Sequence, residues 1–365
     1  MENNINLKNN QRPRVSIIIP VYNVENSISK SLDSVLSQTF KDYEVICIDD
    51  YSTDNSLKVL KEYAQKDNRI KIIEQNQNQG QGVARNLGLD AATGEYIMFL
   101  DSDDWFEPNA CEEAYNQISK NQDDIVFFNY FNYSEYTNAI IMRKSRHLEM
   151  FEDKLGKSVS LYELEKLSFD AATVWSQIYS LDFVRRIGAK FANNRNCEDN
   201  PFYFVCMANA NNVSAINKEL YFYRKRADGN IAYYTKNWQD VLDNKNKSYE
   251  IIKQSKHSNE LLKAYIPFYW TSCYYHCNSA INANRDLRAQ IYRKLHELAV
   301  KLDKEYPMKS LRFYFDWKQY NKFKISDKRV IHKLLNLMYR IFFIEESLER
   351  KKYYILGFKF SKKIN

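Results

Sequence analysis

The chain has 365 residues, which exceeds one typical domain and suffices to bury a sizeable core, and its hydrophobic content of 44% excludes wholesale disorder. With only 8 Gly and 6 Pro it carries no long flexible linker or low-complexity tract, and no internal repeat is visible. The formal charge of +7 is unevenly placed: residues 321–365 hold twelve Lys and Arg against four Asp and Glu, a local net of +8 that leaves residues 1–320 at −1.

In chain order, the polar run ENNINLKNNQRPR after Met1 offers no apolar stretch for a signal peptide or membrane anchor, so a cytoplasmic protein is expected. Val15-Ser16-Ile17-Ile18-Ile19-Pro20 is a short β-branched run of the kind buried in a parallel sheet, with Pro20 predicted to end it. Asn26 or Ser27 can cap a helix whose Ile28, Leu32, Val35 and Leu36 form one stripe. A second strand, Tyr43 to Ile48, ends in Asp49-Asp50 before Ser52-Thr53-Asp54 opens the next helix. A third strand at Ile70–Ile73, the loop from Asn76 to Gly82 and a helix through Val83, Ala84, Leu87 and Ala91 lead to a fourth, Tyr96 to Leu100. This alternation predicts an α/β fold with a parallel sheet and right-handed crossovers. Ligands in such sheets bind beyond the carboxyl ends of the strands, where Tyr22-Asn23, Asp49-Asp50 and Asp101 to Asp104 all fall. The six cysteines, Cys47, Cys111, Cys197, Cys206, Cys273 and Cys277, are scattered and read as free thiols of a reducing compartment. Cys273, His276 and Cys277 have helical spacing and aromatic neighbours, which favours core packing over zinc.

The fourth strand runs straight into Asp101-Ser102-Asp103-Asp104, and burying that charge without partners would be prohibitive. Aspartates at i and i+2 of an extended backbone share a face, so Asp101 and Asp103 can converge on a divalent cation or a sugar hydroxyl. The same acids, followed by Glu107-Pro108, would also suit a helix start. Residue types alone leave both readings open.

Five blocks in order, VSIIIPVYN, SLDSVLSQTF, YEVICIDDYSTDNS, NQGQGVARNLGL and GEYIMFLDSDDWFEP, resemble the inverting glycosyltransferases of family 2, which have the GT-A fold. The resemblance is close over about residues 14–130 and looser from Trp175 to Arg226, where WSQIYSLDFVRR, NCEDNPF and YFYRKR look like the acceptor half. It implies a UDP-sugar donor and Mn2+ or Mg2+, a hard ion that neutralises the departing diphosphate. Asp103 is then the candidate direct metal ligand, and Asp101 helps hold ribose and metal. Ser102 lies between them in the nucleotide-binding turn. Asp50 would accept a hydrogen bond from the uracil N3–H, Tyr22 would offer the base an aromatic face, the Pro20-Val21 backbone would line its pocket, and Arg85 would lie near the pyrophosphate. For Tyr22 packing under a loop, and for Arg85 a surface ion pair, remain the bland alternatives.

An inverting displacement needs a base for the acceptor hydroxyl, and Glu198-Asp199 fits that need. The resemblance assigns the base to the second acid, Asp199, with Glu198 supporting it. A helix start would explain the pair as well, because Phe202, Phe204, Val205 and Met207 follow. Arg224 and Arg226 could close over the pyrophosphate or form a surface basic patch.

The expected layout is a polar tail at 1–13, a GT-A domain at 14–235 with a nucleotide-sugar half (14–130) and an acceptor half (131–235), and an α-helical region at 236–365. Long helical stretches are expected at Trp238–Gln254, Glu260–Ile281 and Asp286–Glu305. In the basic tail, Val330, Ile331, Leu334, Leu335, Met338, Ile341 and Phe342 fall on one helical stripe, with Arg340 cutting the run short of the roughly 18 residues needed to span a bilayer. Residues 328–365 are thus a candidate for an anionic membrane surface on the inner face of the cytoplasmic membrane, or for packing on the helical region. No nucleic acid partner is expected: no zinc-finger, RNP-like or homeodomain pattern occurs, and an acidic cleft repels a polyanion. A sugar-nucleotide pyrophosphorylase would need a Gly-rich loop where PVYN stands. The expected activity is transfer of a hexose or N-acetylhexosamine from a UDP-sugar to a hydroxyl of a cell-surface glycan or lipid-linked glycan. The alternative is a catalytically inactive sugar-nucleotide-binding module of a glycan-assembly complex, against which the acids at 50, 101, 103 and 199 argue.

Overall fold

The computed structural model describes residues 12–143, 146–164, 167, 169, 172–225 and 237–305, together with three strands between 343 and 363. The first half alternates as its sequence pattern requires: β1 (Val15–Val21), α1 (Ile28–Leu36), β2 (Tyr43–Asp49), α2 (Ser56–Lys66), β3 (Ile70–Glu74), α3 (Gln81–Ala91) and β4 (Tyr96–Phe99). These strands pair in parallel in the order β3-β2-β1-β4. β1 and β2 are buried along their whole length, which is why they read as near-continuous apolar runs, interrupted only by Ser16, Glu44 and Asp49, rather than alternating ones.

Pro20 does not end β1, contrary to expectation; the strand continues to Val21, with Pro20 opposite Ile48. The Ile18 carbonyl accepts the Leu100 amide, so the missing N–H of Pro20, two residues on, faces the β4 side. There β4 no longer pairs with β1, whose register with it stops at Ile18, and proline removes no ladder bond.

Beyond β4 the sheet turns mixed. Two-residue β5 (Trp105–Phe106) and α4 (Ala110–Asn121) follow the acidic turn, then β6 (Ile125–Ser134), β7 (Ala139–Arg143), the short α5 (Arg146–Glu149), β8 (Gln177–Ser180), α6 (Leu181–Arg186), α7 (Asp199–Asn209) and β9 (Val213–Lys225). β8 is antiparallel to both β4 and β6, and β9 runs parallel to β6 and antiparallel to β5. The path β3-β2-β1-β4-β8-β6-β9-β5 therefore carries one continuous sheet from the alternating first part of the chain through the strands that follow it up to residue 225. One face of it, through Val15, Ile17, Ile19, Val45 and Cys47, buries Ile28, Leu32 and Val35 of α1 and Leu60 of α2. Against the other face lies α3.

Three helices match the helical stretches expected from the sequence: α8 (Trp238–Lys253), α9 (Ser258–Ala283) and α10 (Arg288–Glu305). A first compact unit extends to Ile291 and so includes α8 and α9, and a second comprises residues 292–365. In the second unit the chain is not helical throughout: β10 (Phe343–Ser347), β11 (Arg350–Ile355) and β12 (Phe358–Lys363) form an antiparallel meander with Tyr353 opposite both Ile344 and Phe360. The runs YYI and FKF are aromatic and β-branched, and Gly357 stands between them, which favours strands. The apolar stripe from Val330 to Phe342 lies outside the described residues. Among the described residues no helix is long and apolar enough to cross a membrane.

Gly88 sets how closely α3 approaches the sheet, since a Cβ there would stand 2.4 Å from Ile18 Cγ2 and 2.9 Å from Ile48 Cδ1. Both isoleucines are held in buried strands and cannot retreat. Gly88→Ala should therefore destabilise the fold by about 1–3 kcal/mol through overpacking, despite the better helix propensity of alanine, as read from the urea unfolding midpoint.

Candidate functional site

The acidic turn sits where β4 leaves the sheet, and hydrogen bonds from two other elements fasten it. From α1, the Ser31 hydroxyl donates to the Ser102 carbonyl at 2.9 Å and to the Asp104 carbonyl. From β9, the Tyr221 hydroxyl donates to Asp104 Oδ2 at 2.7 Å, and the Arg224 amide donates to Asp104 Oδ1 at 2.7 Å. Asp104 is buried, and the loss of solvent together with Asp103 and Asp101 pushes its carboxyl far above the ordinary range. It anchors the turn. Asp101 and Asp103 keep more exposure, the side chain of Asp101 being 24% accessible.

Arg224 is neither an open lid nor a surface patch. Its Nε donates to the Asp103 carbonyl at 2.7 Å, its Nη1 reaches Glu135 at 3.0 Å, and its guanidinium lies over the Trp105 ring, so the end of β9 is locked onto the turn. Arg226 lies outside the described residues.

Arg85, in the second turn of α3, is 3% exposed, which corrects the alternative of a solvated surface pair. Nη2 bonds Asp101 Oδ1 at 2.7 Å and Nη1 bonds Glu198 Oε1 at 2.6 Å. The guanidinium thus joins the acidic turn to the acid pair of the other half, 113 residues apart in sequence for the second contact. Its pKa is driven upward by these two carboxylates, against the desolvation that would lower it. The approach depends on Gly82, where a Cβ would fall 2.1 Å from the Ala192 carbonyl and 2.9 Å from Glu198 Cγ.

Glu198 and Asp199 stand at the start of α7, yet neither side chain supplies an N-cap hydrogen bond. Their position still suits the helix dipole. Glu198 is buried; desolvation first, then repulsion from Asp199, push its carboxyl up to about 7 against the pull of Arg85. Asp199 is half-buried and is also raised by desolvation, while Arg85, Lys245 and the Asn200 amide oppose the rise; Asn200 Nδ2 donates to its Oδ1 at 2.7 Å.

At the other end of the cleft, Pro20 and Val21 are buried in β1, and Tyr22 just beyond is 45% exposed, a ring open to solvent rather than packed under a loop. Asp50 is buried and accepts from Gln75 Nε2, the Gln79 amide and the Gly80 amide, each at 2.7 Å. A carboxylate has about four acceptor positions, so one remains. Gly80, at φ +93°, is the only residue type that adopts this backbone without strain, and it aims its amide at Asp50. Asp49 was passed over in the sequence reading: its Oδ2 takes the Ser52 amide, while Oδ1 is buried with no hydrogen-bond partner among the described residues. Arg195 Nη2 donates to Asn78 Oδ1 at 2.7 Å and ties the loop before α7 to the loop before α3. Asp101, Arg85 and Glu198, with Ser102, Asp103 and Asp199 beside them in sequence, are gathered beyond the carboxyl end of the central strand β4, and Pro20, Val21, Tyr22 and Asp50 stand at the ends of the adjacent strands β1 and β2. Cys273 and Cys277 are fully buried in α9, as core packing requires, and the described residues contain no group of three His, Cys, Asp or Glu able to hold a metal.

Between about 4.5 and about 7 the folded chain keeps a proton on Glu198 that the unfolded chain has released, so this group makes stability fall as pH rises through that window. Glu198→Gln removes the term. Its unfolding free energy from urea melts should gain on wild type from pH 5 to pH 8, by up to about 3 kcal/mol, and parallel profiles would contradict the buried acid.

Residues 16–179 match the family described as glycosyl transferase family 2. The chain is 33% identical over 232 residues to the glycosyltransferase GlyA of Streptococcus pneumoniae serotype 4, an alignment that covers 63% of this chain and 33% of GlyA. It is 43% identical over 119 residues to the UDP-Glc:alpha-D-GlcNAc-diphosphoundecaprenol beta-1,3-glucosyltransferase WfaP of Escherichia coli, covering 33% of this chain and 45% of WfaP. The chain thus spans a third of one relative and under half of the other. The fold of S. aureus TarS 1-349 in complex with UDP-GlcNAc superposes with a TM-score of 0.72 at 19% identity, over 94% of this chain and 97% of that one.

Proposed function

We propose, from the match of residues 16–179 to glycosyl transferase family 2, that this chain is a metal-dependent, inverting glycosyltransferase moving a hexose or N-acetylhexosamine from a UDP-sugar to a hydroxyl of a cell-surface glycan acceptor. One observation carries the reading: Arg85 holds Asp101 at 2.7 Å and Glu198 at 2.6 Å, so the turn suited to the diphosphate and the acid pair suited to the acceptor meet across one side chain. The relatives agree in kind. WfaP is named for a UDP-glucose donor, and TarS is titled as a UDP-GlcNAc complex.

The donor set fits a hard divalent ion bound with substrate rather than caged by protein. Asp104 is committed to Tyr221 and Arg224, which leaves Asp101 and Asp103 as the accessible oxygens of the turn. Mn2+ and Mg2+ are commonly bound by one or two carboxylates plus phosphate oxygens and water. When bound, such an ion neutralises charge on the departing diphosphate. The remaining steps belong to the side chains. Tyr22 presents its exposed face to the uracil, and Asp50, with Asp49 Oδ1 beside it in sequence, accepts the ring N3–H. Arg85 lies too deep to serve as a free phosphate ligand and instead orients Asp101 through its 2.7 Å contact. Asp199 takes the proton of the acceptor hydroxyl as its oxygen attacks the anomeric carbon opposite the bond to the diphosphate. A single displacement of this kind inverts the configuration.

The test is a screen of UDP-sugars with Mn2+ by protection against thermal unfolding, followed by UDP-release assays on the best donor. Asp103→Ala should lose turnover, as should wild type in excess EDTA. Asp199→Asn should bind the donor as wild type does and lose about a hundredfold or more in kcat. Full turnover in EDTA would remove the metal from the mechanism, and near-normal kcat in Asp199→Asn would return that residue to a helix-terminal role.

The lipid-linked form of the acceptor, and a peripheral position on the inner face of the cytoplasmic membrane, rest on the basic tail. Each Lys or Arg near an anionic surface contributes about 1 kcal/mol, and the attraction decays over about 10 Å at 0.1 M salt. Full-length protein should therefore sediment with anionic vesicles at low salt and be released at high salt, and a chain ending at Ser326 should not bind. Equal sedimentation of both chains would retire the membrane contact.

A further inference from the structure

Lys245 is a buried lysine on α8, 2% exposed, in a helix beyond the family-matched segment. A buried ammonium is costly unless its protons are taken up by acceptors and its charge is compensated. Here Nζ donates to Asn200 Oδ1 at 2.5 Å and sits 3.9 Å from the centre of the Phe268 ring, an attractive face for a cation. Asn200 is itself buried and passes the interaction on, its Nδ2 donating to Asp199 Oδ1 at 2.7 Å. The direction of this relay is fixed by chemistry. An ammonium is a donor only, so the amide must turn its oxygen toward Lys245 and its N–H toward Asp199.

We propose that Lys245 is a positioning residue for the reaction, acting through the Asn200 amide to aim the Asp199 carboxylate and to hold it ionised. The proposal rests on the reading of Asp199 as the base. The backbone of α8 is secured at this point, because the Tyr265 hydroxyl of α9 donates to the Lys245 carbonyl at 2.6 Å, so the helical region fixes the cation relative to α7. The charged and titratable groups facing Asp199 are Glu198 and Cys197 on its own segment, Arg85 from α3, Asp101 from the acidic turn, Tyr179 from β8 and Lys245 from α8. Of the cations, Arg85 is already shared between Asp101 and Glu198. Lys245 is the one whose relay ends on Asp199. Without it Asn200 is free to rotate its amide, and Asp199 loses both an oriented donor and a nearby positive charge.

The experiment follows Asp199 directly in the full chain labelled with 13C at the aspartate carboxyls, its resonance assigned as the one lost in Asp199→Asn. Lys245→Met and Asn200→Ala should each raise the titration midpoint of that carboxyl by about one pH unit, the usual scale for losing a close opposite charge or a donor. The acid limb of UDP release from UDP-glucose with Mn2+ should move up by the same amount, reaching about tenfold lower kcat well below the midpoint, with KM for UDP-glucose within about twofold of wild type. If Lys245→Met does not fold, Asn200→Ala decides alone, since it cuts the relay and leaves the buried cation in place. An unchanged midpoint in folded variants overturns the proposal. Undiminished UDP release by Asp199→Asn removes instead the base assignment, and with it any catalytic role for Lys245, whatever the midpoints do.

Discussion

A guanidinium buried to the extent of Arg85 is tolerable only with acid partners at hydrogen-bond distance, and the two it has, Asp101 and Glu198, come from segments remote in sequence. That constraint orders much of what surrounds it. The segment before α7 has to return to α3, which it does through the Ala192 amide on the Glu198 carbonyl and the passage past Gly82. The acidic turn has to present Asp101 inward to the guanidinium. Breaking a pair of this kind leaves an uncompensated buried charge, at a cost of about 3–5 kcal/mol, so the geometry of the acidic turn and of the acid pair is set jointly rather than separately.

The acidic turn divides its carboxylates by environment. Asp104 is enclosed by Tyr221, the Arg224 amide and the α1 serine, and functions as an anchor, whereas Asp101 and Asp103 stay accessible. The anchor reaches β9 because Trp175 stacks on Tyr221 and Tyr223 at 4.5 and 5.4 Å, and Trp105 stacks on Phe222 at 5.0 Å. These rings immobilise the last strand with little side-chain entropy to lose. The tyrosine-rich composition of the chain thereby serves the precision of a charged site.

The helices after the sheet belong to the same compact unit as the sheet up to Ile291. α8 packs its Val241, Tyr249 and Ile252 inward, and Lys245 and Ser248 fall on that same buried stripe. Polar residues in such a stripe need named partners, and those of Lys245 lead to the site. The helical region thus helps form the acid pair's surroundings as well as closing the core.

The order of strands and helices through β4, the carboxyl-end placement of Asp50, Asp101 and Asp103, and the helical stretches after residue 237 were legible in the sequence, because burial periodicity and strand-end polarity are local properties. Family resemblance carried the reading to Asp199. What the pattern could not tell was partnership. Nothing along the chain distinguishes Asp104, a buried anchor, from Asp103, which keeps partial exposure, since the burial of Asp104 is made by Tyr221 and Arg224 more than a hundred residues later. A surface ion pair stayed open as an alternative for Arg85, Pro20 read as a strand end, and Asp49 went unassigned beside Asp50. Lys245 left a faint signal, a charge in an apolar stripe, but its meaning depends on Asn200 lying across an interhelical contact. Local sequence fixes which residues are buried and which strand ends carry charge; only the folded chain decides which charges compensate one another, because that is a matter of distances between segments remote in sequence.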